Sequence, residues 1–167
     1  PVDCIPAAPL FSSDLTRACG PPLYDSASGC SVAANSGGRI AGLSDRQLLQ
    51  EIAGRAEAQG IRQGWGAAGT GPVQGTLKHS YAERLLETYQ RISGQRGNLV
   101  SEQSFLGGVP VPRGTAGSAR PDVFDTAGGL IYDYKFVRVP GQGIPAAQQA
   151  RNAANVPGVT GQIEINP

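Results

Sequence analysis

The chain has 167 residues, enough for one ordinary domain with a real core or for a smaller domain with an appendage. Its 24 Gly and 13 Pro make up about a fifth of it, short of the roughly 25–30% at which a low-complexity disordered chain becomes the default reading. The net charge of +1 conceals an uneven spread, because the half from about residue 75 onward is mildly basic; that permits a polyanionic partner without demanding one.

No window approaches the roughly 18 apolar residues of a membrane span, and the N-terminus lacks the basic and apolar regions of a signal peptide. A soluble chain with no membrane partner is expected. It contains no methionine and begins with proline, which reads as a C-terminal piece cut from something larger, although a trimmed recombinant domain would read the same way.

Residues 1 to about 42 are broken by PAAP, CGPP, SASG and NSGG and show no sustained period, so they read as an irregular arm. Cys4, Cys19 and Cys30 all lie there, with no CxxC spacing and no nearby histidine to complete a zinc site. One disulfide with a spare thiol and three separate thiols both stay open. In SDRQLLQEIAGRAEAQG, Ser44 and Gln47 form a capping-box pattern, Leu48, Ile52 and Ala56 make one stripe, and Gly60 is the expected stop. The segment GWGAAGTGP then reads as a flexible join anchored by Trp65; it lacks the Lys-Ser/Thr ending of a P-loop. The expected division is an arm with one helix over residues 1–75 and a second unit over 76–167.

That second unit opens with TLKHSYAERLLETYQRISG, where Ala82, Leu85, Leu86, Tyr89 and Ile92 repeat at three and four and Gly94 is the stop. His79, Glu83 and Glu87 share another face of the same helix. NLVSEQSF reads as one strand, GGVPVPRGTAGSA as a long connection, and RPDVFD and LIYDYKFV as two strands around TAGG. PAAQQARNAANV reads as a helix with Pro145 at its first position, and VTGQIEI as a last strand.

In LIYDYKF, alternation sends Ile131, Asp133 and Lys135 to one face and Tyr132, Tyr134 and Phe136 to the other. A four-residue loop at Thr126 to Gly129 would set Asp122 opposite Asp133; a two-residue Gly128-Gly129 turn would set Asp122 opposite Lys135. Either register gathers the three side chains on one face, with opposed Cβ atoms roughly 4.5–5.5 Å apart. Two carboxylates that close repel, so a raised pKa, the Lys135 ammonium or a bound cation must offset the cost. A hard ion such as Mg2+ or Mn2+ suits the pair. Asp122 and Asp133 would then hold the ion with the Tyr134 backbone carbonyl as a further oxygen, and Lys135 would position or deprotonate the attacking water.

Pro121-Asp122, a ten-residue gap and Asp133-Tyr134-Lys135 resemble the PD-(D/E)xK motif of the restriction-endonuclease-like nuclease superfamily. The resemblance covers residues 76–167. It implies an α/β (α+β) fold with a central mixed sheet flanked by helices in the order α-β-β-β-α-β, here with an irregular N-terminal arm and one extra helix. It also implies a helix acid, carried over to Glu83 as a catalytic residue that touches the metal through water, with Glu87 as the competing choice. The implied activity is Mg2+-dependent endonuclease cleavage of DNA. Many toxin tips of this superfamily are C-terminal pieces of a larger carrier, secreted into the cytoplasm of a target bacterium and neutralised by an immunity protein; the composition resembles that class.

A single histidine excludes chemistries that need two, and the distance of every Cys from His79 argues against a thiol hydrolase. Arg120 and Arg138 flank the motif strands and are the expected phosphate contacts, with His79 and Gln148 as further substrate-binding candidates. An RNase of the same fold and a non-catalytic binding module are the alternatives.

Overall fold

The computed structural model describes residues 42–67, 71–139 and 141–167. The expected arm over residues 1 to about 42, with its three cysteines, lies outside the described residues. In chain order the elements are α1 (Asp45–Arg62), α2 (Pro72–Ser93), β1 (Leu99–Ser101), β2 (Ser104–Leu106), β3 (Val109–Val111), β4 (Val123–Asp125), β5 (Leu130–Tyr134), α3 (Ala146–Asn155) and β6 (Gly161–Ile165).

Helix α1 buries Leu48, Leu49, Ile52, Ala53 and Ala56, the residues that three-and-four spacing brings to one side. It packs against α2 and touches β6, so the compact unit begins at Asp45 rather than near Thr76. Gly60, expected to end α1, lies inside it. Its purpose is space: a Cβ there would collide with the stem of Lys78. Lys78 is 1% exposed and donates to Glu57 across the helix pair at 2.7 Å, so a buried charge stays paired.

Helix α2 starts at Pro72, one turn earlier than expected, with proline in its first turn. Its stripe buries Ala82, Leu85, Leu86 and Tyr89. Ile92, expected to continue that stripe, is 62% exposed. The helix ends as expected at Gly94, whose φ of 66° lets its N–H reach the Gln90 carbonyl.

NLVSEQSF is not one strand. The chain turns at Glu102, a non-glycine residue with φ 52°, which separates β1 from β2. Strand β2, from the end of NLVSEQSF, then pairs in a hairpin with β3, which comes from the segment expected to be a connection. Gly107 and Gly108, both at positive φ, make its tight turn.

The main sheet runs β1-β4-β5-β6. The first two pairings are antiparallel and β5 pairs with β6 in parallel, with α3 as the crossover. Three described helices and a mixed four-stranded sheet make the fold α+β, as expected at that level. On one face Phe124 and Ile131 pack with Phe105 of the hairpin, Ala119 and Val156. Tyr134 points to the other face, where the ring of His79 on α2 meets it at 6.2 Å.

Asp125 pairs with Leu130 across the four residues Thr126–Gly129, which selects the four-residue loop from the two expected registers. Continuing the ladder one pair past Val123 and Tyr132 sets Asp122 opposite Asp133. The loop depends on Gly129, at φ 71°, where a Cβ would strike the Gly158 carbonyl.

Candidate active site

The open end of the β4–β5 pair carries the acids. Asp122 sits just before β4, and its Oδ2 accepts the Tyr134 backbone N–H at 2.7 Å. Its Oδ1 lies 3.2 Å from His79 Nδ1. Asp133, on β5, is 4% exposed and ion-pairs with Lys135.

Helix α3 adds Gln148. Its Nε2 donates to Asp133 Oδ1 at 2.5 Å, and its Oε1 accepts from Lys135 Nζ at 3.4 Å. One amide thus holds both partners of the ion pair. Asp122, Asp133, Lys135, Gln148 and His79 line a cleft of about 480 Å3 with Thr76 and Phe136.

The charge balance there is uneven. Burial, and then the nearby Asp122, push the Asp133 carboxyl above its ordinary value, against the opposing pull of Lys135 and Gln148. Glu102 is raised in the same way, by burial first and then by Asp122 and Glu83, against Arg120 and His79. Burial alone would lower His79, but its bond to Asp122 and the surrounding carboxylates outweigh that and raise it. Its ring is held edge-on against Phe136 at 5.2 Å and Tyr134 at 6.2 Å.

Several expected residues occupy other positions. Glu83 is half-buried one turn beyond His79; it is not among the residues lining the cleft, and its charge acts on Glu102. Glu87 is exposed. Arg120 pairs with Glu102 at 2.9 Å, so its guanidinium already has an acid partner. Arg138 is exposed on the segment after β5.

Glu102 was not expected in the site at all. Its carboxylate, His79 and Asp122 bring one donor atom each to within 4.8 Å of one another. The one signal in the sequence was the polar run Ser101-Glu102-Gln103-Ser104 between the apolar pairs Leu99-Val100 and Phe105-Leu106.

The donor set fits a divalent ion. Hard carboxylate oxygens converge, each oxygen has a second lone pair available, and Asp133 and Glu102 are pushed up by burial and then by the neighbouring Asp122, the second of which a cation would offset. Comparison with family models, curated proteins and solved structures returned no match for this chain.

Proposed function

We propose that the chain is a metal-dependent nuclease that hydrolyses phosphodiester bonds of DNA on a restriction-endonuclease-like core. The observation that carries this reading is the position of Asp122, one register step beyond the antiparallel ladder and so opposite Asp133, with Lys135 two residues on and all three lining one cleft. The order of elements supports it as well. Without the β2–β3 hairpin, the chain from α2 onward runs α-β-β-β-α-β, with two antiparallel pairings and then a parallel one.

Asp122 and Asp133 would hold Mg2+ or Mn2+, with the Tyr134 carbonyl as a further oxygen, while Glu83, which does not line the cleft, takes no part in this set. Such an ion supplies Lewis-acid stabilisation of phosphate charge and a more acidic water. The remaining work falls to the chain. The Lys135 ammonium, tethered to Asp133, donates to the attacking water or to a phosphate oxygen and offsets the negative charge that builds there. Gln148 fixes both side chains through its two bonds. Arg138 stands exposed to meet backbone phosphates. In the reaction the water oxygen forms a new bond to phosphorus, an ester P–O bond breaks, and a proton passes to the leaving oxygen.

The extension to a secreted antibacterial toxin with a carrier and an immunity protein is supported by the sequence resemblance alone. The nuclease reading is tested by incubating the chain with supercoiled plasmid, and in parallel with RNA, in Mg2+, Mn2+ or EDTA. Plasmid should be cut with the ion and not with EDTA. Lys135→Ala should slow cutting by about 10²–10⁴-fold with the fold retained. Full activity in that variant, or no cutting of DNA or RNA with any divalent ion, overturns the proposal; cutting of RNA alone moves it to the ribonuclease alternative.

A further inference from the structure

We infer that His79, Glu102 and Asp122 form a second cation position, adjoining the first through Asp122, and that its imidazole nitrogen makes it select a first-row transition ion such as Mn2+ over Mg2+. Three elements far apart in sequence converge to make it: His79 comes from α2, Glu102 from the break between β1 and β2, and Asp122 from the start of β4. One ligand atom from each lies within 4.8 Å of the others, little more than the roughly 4.0–4.4 Å that two ligands at bond lengths of roughly 2.0–2.2 Å can span across a single ion.

Each donor is held in place before any ion arrives. The His79 ring is fixed edge-on by Phe136 and Tyr134, with Nδ1 turned toward Asp122 Oδ1. Glu102 keeps its uncommon φ of 52° while its N–H donates to the Asp122 carbonyl at 3.0 Å. The two oxygens of Asp122 face different ways, Oδ1 to His79 and Oδ2 to the Tyr134 N–H beside Asp133. One carboxylate can therefore serve both positions, as in sites where two ions share a ligand.

Donor chemistry sets the selectivity. Mg2+ prefers oxygen ligands and keeps much of its water, whereas an imidazole nitrogen favours first-row transition ions over it, Mn2+ the least strongly among them. Arg120, paired with Glu102 at 2.9 Å, neutralises one of the two acidic charges and leaves the other for the ion.

The inference goes beyond the nuclease reading, since binding at this position needs no cleavage. The test uses the metal-free full chain, titrated separately with Mn2+ and Mg2+. Mn2+ is followed by the paramagnetic resonance of the free ion, and both ions by the rise in melting temperature. Mn2+ should bind about tenfold tighter than Mg2+. His79→Gln and Glu102→Gln should each remove most of that preference while leaving Mg2+ binding nearly unchanged. Equal affinity for the two ions in the wild-type chain overturns the inference, and so does an unchanged Mn2+ preference in the variants. Asp133→Asn should keep the preference, because it leaves all three donors in place. A Mn2+ preference in a chain that cuts no DNA supports this position and counts only against the nuclease reading.

Discussion

One hairpin, β4–β5, carries a buried aspartate toward each end, and the two are treated oppositely by their surroundings. Asp125, at the closed end, and Asp133, at the open end, are 6% and 4% exposed. Asp125 lies under a turn close to the surface, where burial would raise its pKa. The Asn98 side chain and the Gly128 and Ala127 backbone N–H groups outweigh that and lower it, with bonds of 2.7 Å from Asn98 and 2.9 Å from Ala127. Asp133 lies deeper, under Gln148 of α3, and faces a second acid, so burial and then Asp122 raise it. The lesson concerns neighbours more than solvent contact. A carboxylate ringed by neutral N–H donors is satisfied by the fold itself, whereas one buried against another carboxylate carries a charge that the fold disfavours.

The sharpest way to break this contrast is to neutralise each acid in turn. Asp133→Asn should lower plasmid cleavage by about 10³-fold, with a melting temperature unchanged or raised, because the disfavoured charge is removed. Asp125→Ala should do the reverse. It strands the Asn98 amide and the Ala127 N–H, so the urea-unfolding free energy should fall by about 1–3 kcal/mol, with cleavage per folded molecule retained. A collapse of stability in the first variant, or of activity in the second, would show that the two ends do not differ as described.

The smallest effect is in the pH dependence of stability, measured as the urea midpoint in EDTA. Asp125, lowered in the fold, stabilises above its ordinary pKa of about 3.9, and this contribution is lost as pH falls through the lowered folded value. Asp133, raised in the fold, stabilises below the ordinary value, and its contribution is lost as pH rises through the raised one. Asp125→Asn should therefore flatten the acid side of the profile and Asp133→Asn the side above it. Identical profiles in the two variants would remove the electrostatic half of the comparison.

Much of this was legible in the residues. The stripes of α1 and, as far as Tyr89, of α2, the Gly94 stop, and the alternation that sets Ile131 in the core and stacks Tyr134 with Phe136 are local patterns, and the structure keeps them. The four-residue loop was one of two registers the residues allowed, and packing of Gly129 against Gly158 goes with the one observed. Gly60 was misleading because glycine ends helices often, while here it clears room for Lys78, a residue eighteen positions away. Glu102 was hidden inside an apparent strand, since nothing in NLVSEQSF announces that its second half will pair with β3.

By itself, then, the sequence determined that Asp122, Asp133 and Lys135 would share a face, because side-chain alternation and hairpin pairing are properties of neighbouring residues. Only the tertiary structure decided that Glu102 would join them, and where His79 and Gln148, both expected near the substrate, would stand. Those residues arrive from α2, from a break in the backbone and from the crossover helix, and their meeting depends on how helices seat on a sheet, which no local period encodes.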